Sequence, residues 1–324
     1  MTPRSSESRR AAEPMQVCPV LQEMERILRD RLGSDAGERL TPLAPLLEDT
    51  VDGCAERRGW MAADWVVRSA APAWLRRAGL EDDAAGLEAL PEIVSRPDLK
   101  RSLDLLLRAG ERASAAWDAT WSAAKEARWD ASWSAAREAA KASARSAAGW
   151  TTARDASWTA AWDAAVAAAW AAARATSWDA AWDGSSRSVR SAGWDAVRAA
   201  AGGAAASHGW DALWEEAWAA AWDAARAAAR ALAWDAAWAE GWQAARSAMQ
   251  TGGWSAAWNA ERDAAWTAAW DGVRGAAWDA GRSAAAAAAR RALAPTVAEV
   301  DRSALARFER MARLRPGQRP PATG

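Results

Sequence analysis

The chain has 324 residues, with 41 basic and 42 acidic side chains and a formal net charge of −1. That balance supplies no global field for nucleic acid or anionic lipid, so neither is an expected partner. One histidine, no tyrosine and two cysteines remove most acid–base and metal-binding constellations, so no catalysis, metal or cofactor is expected.

Residues 1–16 are polar, lack the apolar core of a signal peptide and are expected to be disordered. The longest uncharged apolar runs, such as Ala164 to Ala173, are too short to span a bilayer. A soluble, cytoplasmic protein with Cys18 and Cys54 as reduced thiols follows, a single bridge between them being the alternative.

From Val20, the spacing of Leu21, Met24, Ile27, Leu28 and Leu32 predicts a helix that Gly33 stops. A proline-containing link, Thr41 to Leu47, leads to a second short helix near Leu46–Cys54. In the next helix Pro72 is expected to kink or divide the backbone, and Arg76 and Arg77 before Gly79 mark its end. After a break at Pro91, Ser95 as N-cap with Asp98 three residues on opens a helix carrying Leu99, Leu103, Leu106 and Leu107. That helix passes Gly110 into a region where Trp117, Trp121, Trp129 and Trp133 step by fours.

Every tryptophan from Trp150 to Trp278 then falls in one four-residue register. The slot holds Trp or Arg most often, a small polar residue or Ala follows, and two small residues complete the tetrad. Ala-rich tetrads favour helix over strand. On a helix each step of four advances about 40° beyond a full turn, so the Trp stripe circles the rod after about nine tetrads. Helices of three to five tetrads, folded back at Gly149, Gly184, Gly193, Gly202, Gly203, Gly209, Gly241, Gly252 and Gly253, are therefore expected. After Arg291 the tetrads dissolve, and Val297, Val300, Leu305 and Phe308 predict a closing helix before a loose tail.

The predicted fold is all-α: an array of short antiparallel helices, solenoid-like or bundled. Residues 17–111 form a Leu-rich N-terminal cap, 112–291 the Ala/Trp tetrad array, 292–314 a C-terminal capping helix and 315–324 a disordered tail. Arg repeatedly stands four residues after Trp, as in Trp194–Arg198, Trp222–Arg226 and Trp278–Arg282, where guanidinium on indole is worth about 0.5–1 kcal/mol. Asp three residues before Arg, as in Asp223–Arg226 and Asp271–Arg274, adds about 0.2–0.5 kcal/mol. Expansion of a short GC-rich coding unit would generate the same alphabet, since Trp (TGG) and Arg (CGG) differ by one base.

The stretch A-A-D-W-V-V-R-S-A-A-P-A-W-L, Ala62 to Leu75, and R-P-D-L-K-R-S-L-D-L-L-L-R-A-G-E, Arg96 to Glu111, resemble the bacterial alanine-rich immunity proteins of the immunity-five-like group. The resemblance centres on residues 60–115 and implies an all-α protein that binds and neutralises a toxin. It departs where members carry Cys and several His and this chain has Trp65 and the lone His208, here read as a loop residue.

A partner-binding helical array is thus the first functional expectation, with an exposed face of Trp210, Trp214, Trp218, Trp222, Arg226, Trp234, Trp238 and Trp242 as the docking surface. The alternative is a structural repeat whose tryptophans are all internal. Weaker readings are single-stranded nucleic acid stacking on Trp, binding at a membrane surface, and photochemistry of a Trp array.

Overall fold

The computed structural model describes residues 16–126, Glu138, 152–259 and 264–317. The expectations for residues 1–15, for Trp129, Trp133, Gly149 and Trp150, and for the end of the tail lie outside them. Among the described residues the chain is helical, with no strand.

α1 (Pro19–Leu32) starts on a proline, whose missing N–H is no loss in a first turn, and buries Val20, Leu21, Met24 and Leu28. Gly33 follows with φ 56°. α2 (Ala36–Leu40) leads into a 3-10 turn, Thr41–Leu46. The helix expected near Leu46–Cys54 is replaced by this turn and a loop. Pro42 and Pro45 remove two backbone donors, Asp49 and Gly53 take positive φ, and the Thr50 hydroxyl donates to the Leu47 carbonyl at 2.8 Å.

α3 (Ala55–Trp65) continues through one wide π turn, Val66–Ala70, into α4 (Ala71–Arg77). Pro72 lacks the N–H that an α-helical register requires of it, and the wide turn carries the helix past that gap. Gly79 (φ 78°) ends it, with the Leu80 N–H returning to the Leu75 carbonyl at 3.0 Å. α5 (Glu81–Glu88) is short. α6 (Arg96–Glu126) opens at Ser95, whose hydroxyl donates to Asp98 at 2.5 Å, and runs unbroken from the Leu-rich into the Trp-rich sequence.

The tetrads form long rods. α7 (Thr152–Val189) has 38 residues, α9 (Asp211–Asn259) 49, and α10 (Ala264–Arg313) 50, with the shorter α8 (Ala192–His208) between α7 and α9. Chain reversal occurs at Ser191, whose hydroxyl caps the Trp194 N–H, and at Gly209, with φ 72°.

Most of the expected glycine breaks are instead places where helices touch. A Cβ on Gly241 would sit 3.1 Å from both Ala285 Cβ and Ser177 Oγ, and one on Gly281 would sit 3.4 Å from the Gly241 carbonyl. α7, α9 and α10 meet there over small residues. The helix is continuous through Gly184, Gly202, Gly203, Gly241 and Gly252, because tertiary packing supplies more than the ~1 kcal/mol each glycine costs.

α9 is the central rod and packs against α4, α6, α7, α8 and α10. Its precessing Trp stripe meets a different neighbour at each level. Trp210, in the turn before α9, stacks on Trp60 of α3, with centroids 3.8 Å apart. Trp218 and Trp222 meet Trp194 of α8 at 4.9 and 6.1 Å. Trp234 meets Trp117 of α6 edge-on at 5.8 Å, and Trp238 meets Trp170 of α7 at 6.4 Å. Seven tetrads separate Trp210 from Trp238, a rotation of roughly 280°. A stripe that no single partner helix could cover is covered by several in turn.

The 50–65 region and the end of α10 are pinned together. Arg58 is fully buried and bidentate to Asp52 at 2.8 Å, while its remaining N–H groups donate to the carbonyls of Thr50, Met311 and Leu314. Trp65 Nε1 donates to Ser303 Oγ at 2.9 Å, and Arg307 Nη2 donates to the buried Asp64 at 2.9 Å. Residues expected to cap opposite ends of an array therefore share one core. α10 reaches that core as one helix passing through Pro295, and no separate closing helix starts at 292.

Candidate partner-binding surface

The residues expected to form an exposed aromatic face lie mostly inside. Trp210, Trp214, Trp218, Trp234 and Trp242 are buried, while Trp222, Trp238 and Arg226 are half-buried. The physical reason is the precession: each indole turns toward whichever helix lies at its level. Arg226 makes the expected pair with Asp223, at 3.2 Å. Arg198 lies over Trp218 at 5.4 Å instead of over its own Trp194, whose surroundings Trp218 and Trp222 fill. Among the described side chains Trp182 is the one exposed indole, at 40 %. Arg230, only 8 % exposed, stacks on it at 3.5 Å. Burial pulls the Arg230 guanidinium down to about 10, a further push coming from Arg226.

His208 closes α8 as its last helical residue and is exposed, its ring Nδ1 2.8 Å from the Ala204 carbonyl. Cys18 and Cys54 are free and buried. Among the described residues no group of three or more His, Cys, Asp or Glu is placed to hold a metal ion. No described helix is long and apolar enough to cross a membrane. The buried Asp64 and Arg307 and the half-buried Arg68 form a charge cluster, but it lies between the α3–α4 segment and α10 as internal packing.

Two open grooves flank α1. The first, about 690 Å³, lies against α8 and collects Arg26, Arg31, Arg190 and Arg198 around Asp195. Arg31 pairs with Asp195. Burial pushes the Asp195 carboxyl up, against the opposing pull of Arg31, Arg190 and Arg198. Arg190 also covers the half-buried Trp222 at 5.6 Å. The second groove, about 770 Å³, runs between α1, α2 and the second half of α10, rimmed by Arg31, Arg39, Arg290 and Arg302.

Arg39, Arg190, Arg290 and Arg302 make no ion pair among the described residues, although many other surface arginines do: Arg26 with Glu23, Arg226 with Asp223, Arg274 with Asp271, Arg313 with Glu309. Sequence reasoning that followed tryptophan missed these groove arginines. Nothing in the spacing sets them apart, because Arg154, Arg174, Arg230, Arg246 and Arg262 of the tetrads lack an acid three or four residues earlier just as Arg190 and Arg290 do. That α1, α2 and α10 converge was not readable from spacing.

Comparison with family models, with curated proteins and with solved structures finds no match to this chain.

Proposed function

We propose that the protein is a non-enzymatic helical scaffold of the cytoplasm that binds a protein partner. Its Trp/Ala tetrads supply a rigid interior, and docking falls to the arginine-lined face of α1, α2 and the second half of α10. The observation that carries this reading is the set of exposed guanidiniums, Arg39, Arg290 and Arg302, gathered on one groove without carboxylate partners among the described residues. Guanidinium matches carboxylate bidentately, and arginine is enriched at protein interfaces. The toxin-neutralising role implied by the immunity-protein resemblance is one form of this function. Of the two stretches behind that resemblance, Ala62 to Leu75 is buried except at Arg68 and Ser69 and speaks to packing, while Arg96 to Glu111 keeps one face exposed, including Arg101, Asp104, Leu107 and Arg108.

A purely structural role for the repeat is the second reading, favoured by the burial of Trp194, Trp210, Trp214 and Trp234. Affinity capture from the native cell's lysate separates the two, comparing the wild-type chain with a folded Arg39→Glu/Arg290→Glu/Arg302→Glu variant. One stoichiometric partner lost in the variant is the expected result. A partner retained equally by the variant removes the arginine face from the reading, and no partner for either form leaves the structural role.

A further inference from the structure

We propose that the groove between α1, α2 and α10 receives an amphipathic helix with acidic flanks, contributed by the partner protein; this rests on the partner-binding reading above. The groove is a seam along α10. Ala294, Val297, Ala298, Asp301, Arg302 and Leu305 recur at intervals of three, four and one, which places them on one helix face over 11 residues, about 16 Å. That length accommodates about three turns of a second helix. Val297, Leu305 and Leu32 of α1 are half-buried and give the seam an apolar floor, and the exposed Ala294 and Ala298 let a partner backbone approach closely.

Charge on the rim identifies the flanks of the occupant. Arg31 is engaged by Asp195, and Asp301 accepts the Gly193 N–H at 2.8 Å. Arg39, Arg290 and Arg302 are left facing the groove with Asp35 and Asp301 as the carboxylates, an excess of one positive charge. A helix that puts Leu-type side chains on the floor and Glu or Asp on both flanks satisfies floor and rim together.

The chain's longer undescribed segments have the wrong charge for this role, and 260–263, with Glu261 and Asp263 against Arg262, is too short for three helical turns. Arg4, Arg9 and Arg10 outweigh Glu7 and Glu13 in residues 1–15. Arg128, Arg137, Lys141 and Arg145 outweigh Asp130 and Glu138 in 127–151, and Arg319 is the one charged side chain in 318–324. Nucleic acid fits less well, because Asp35 and Asp301 repel phosphate and the lining offers no indole for base stacking.

The test is a fluorescence-polarisation titration of full-length protein against a labelled synthetic helix, with leucines at i, i+3, i+4 and i+7 and glutamates on both flanks. The same peptide with lysine for glutamate and an oligothymidylate serve as competing probes. Saturable binding of the glutamate peptide is expected, weakened at least about tenfold by Arg290→Glu/Arg302→Glu and by Val297→Asp. Arg39→Glu, on a separate helix, is expected to weaken it as well, which keeps the test valid should one α10 variant fail to fold. The proposal is overturned by absence of saturable binding at about 1 mM, by binding indifferent to these changes, or by equal binding of the lysine peptide. Tighter binding of oligothymidylate, or self-association abolished by Arg290→Glu, overturns it too, by placing nucleic acid or a second copy in the groove. If the lysate partner is captured through the arginine face while the peptide fails, the partner-binding reading stands and the acidic-helix proposal falls.

Discussion

Arg58 makes the strongest single-residue statement in the molecule. A fully buried guanidinium is tolerable only because Asp52 neutralises it and three backbone carbonyls accept its other N–H groups. Removing it leaves a desolvated carboxylate and takes a donor from carbonyls of two distant segments, so Arg58→Ala is expected to lower stability by about 3–5 kcal/mol in urea unfolding. Burial pushes the Asp52 carboxyl up, but the Arg58 guanidinium and the Cys54 N–H outweigh it and hold the group below its usual range. Because the folded value is the lower one, this stabilisation is present above the unfolded value of about 4 and is lost as pH falls through the folded one. The stability gap between wild type and Asp52→Asn should therefore be full at neutral pH and close below about pH 4. A gap unchanged at pH 3 contradicts the account. The indoles behave differently. Nε1 of Trp74, Trp194, Trp210 and Trp214 is buried without an acceptor, so these tryptophans serve as volume and not as polar anchors. Trp214→Ala is expected to cost about 3–5 kcal/mol, and Trp214→Phe clearly less, by the same unfolding measurement.

Among helices, glycine decides where contact is close, and the two outcomes of adding a methyl group differ in sign. A Cβ on Gly59 would overlap the Ala204 methyl where α3 crosses α8, and neither group can rotate away. Gly59→Ala is expected to destabilise by about 1–3 kcal/mol. Gly203, exposed on α8, has nothing within 4 Å of such a Cβ, and Gly203→Ala should stabilise by about 0.8–1 kcal/mol through helix propensity. Thermal unfolding of the two variants reads both signs, and a shift of the same sign in both contradicts the packing described. Much of this scale was legible in the sequence. The α1 stripe, the Gly33 and Gly79 stops, the disturbance at Pro72 and the Ser95 opening follow from local rules. Rod length did not, because a glycine at a helix crossing and a glycine at a helix end look alike until the neighbouring helix is known.

In the whole molecule, the four-residue repeat and the straight α-helix disagree by about 40° per step, and the fold resolves the mismatch by surrounding α9 with different helices at successive levels. The sequence made that precession visible but led to shorter rods as its solution. It also placed the tryptophans on a docking face, whereas the surrounding helices take them up and leave arginines of α1, α2, α8 and α10 at the surface. No rule of spacing within one helix reports such a convergence, since Arg39 and Arg290 are neighbours only across the assembled core. The same convergence brings the buried Arg58 of the Leu-rich region against the last residues of α10, so the repeat is enclosed by its own ends.

Native-state oxidation of tryptophan, read peptide by peptide by mass spectrometry, tests this arrangement most directly. Among the tryptophans whose side chains are described, Trp182, 40 % exposed, should oxidise first, while Trp194, Trp210, Trp214, Trp218 and Trp234 stay protected until the protein unfolds. Comparable native oxidation of Trp214, Trp218 and Trp234 would mean that the Trp stripe faces solvent, and would contradict an interior built from the tetrads.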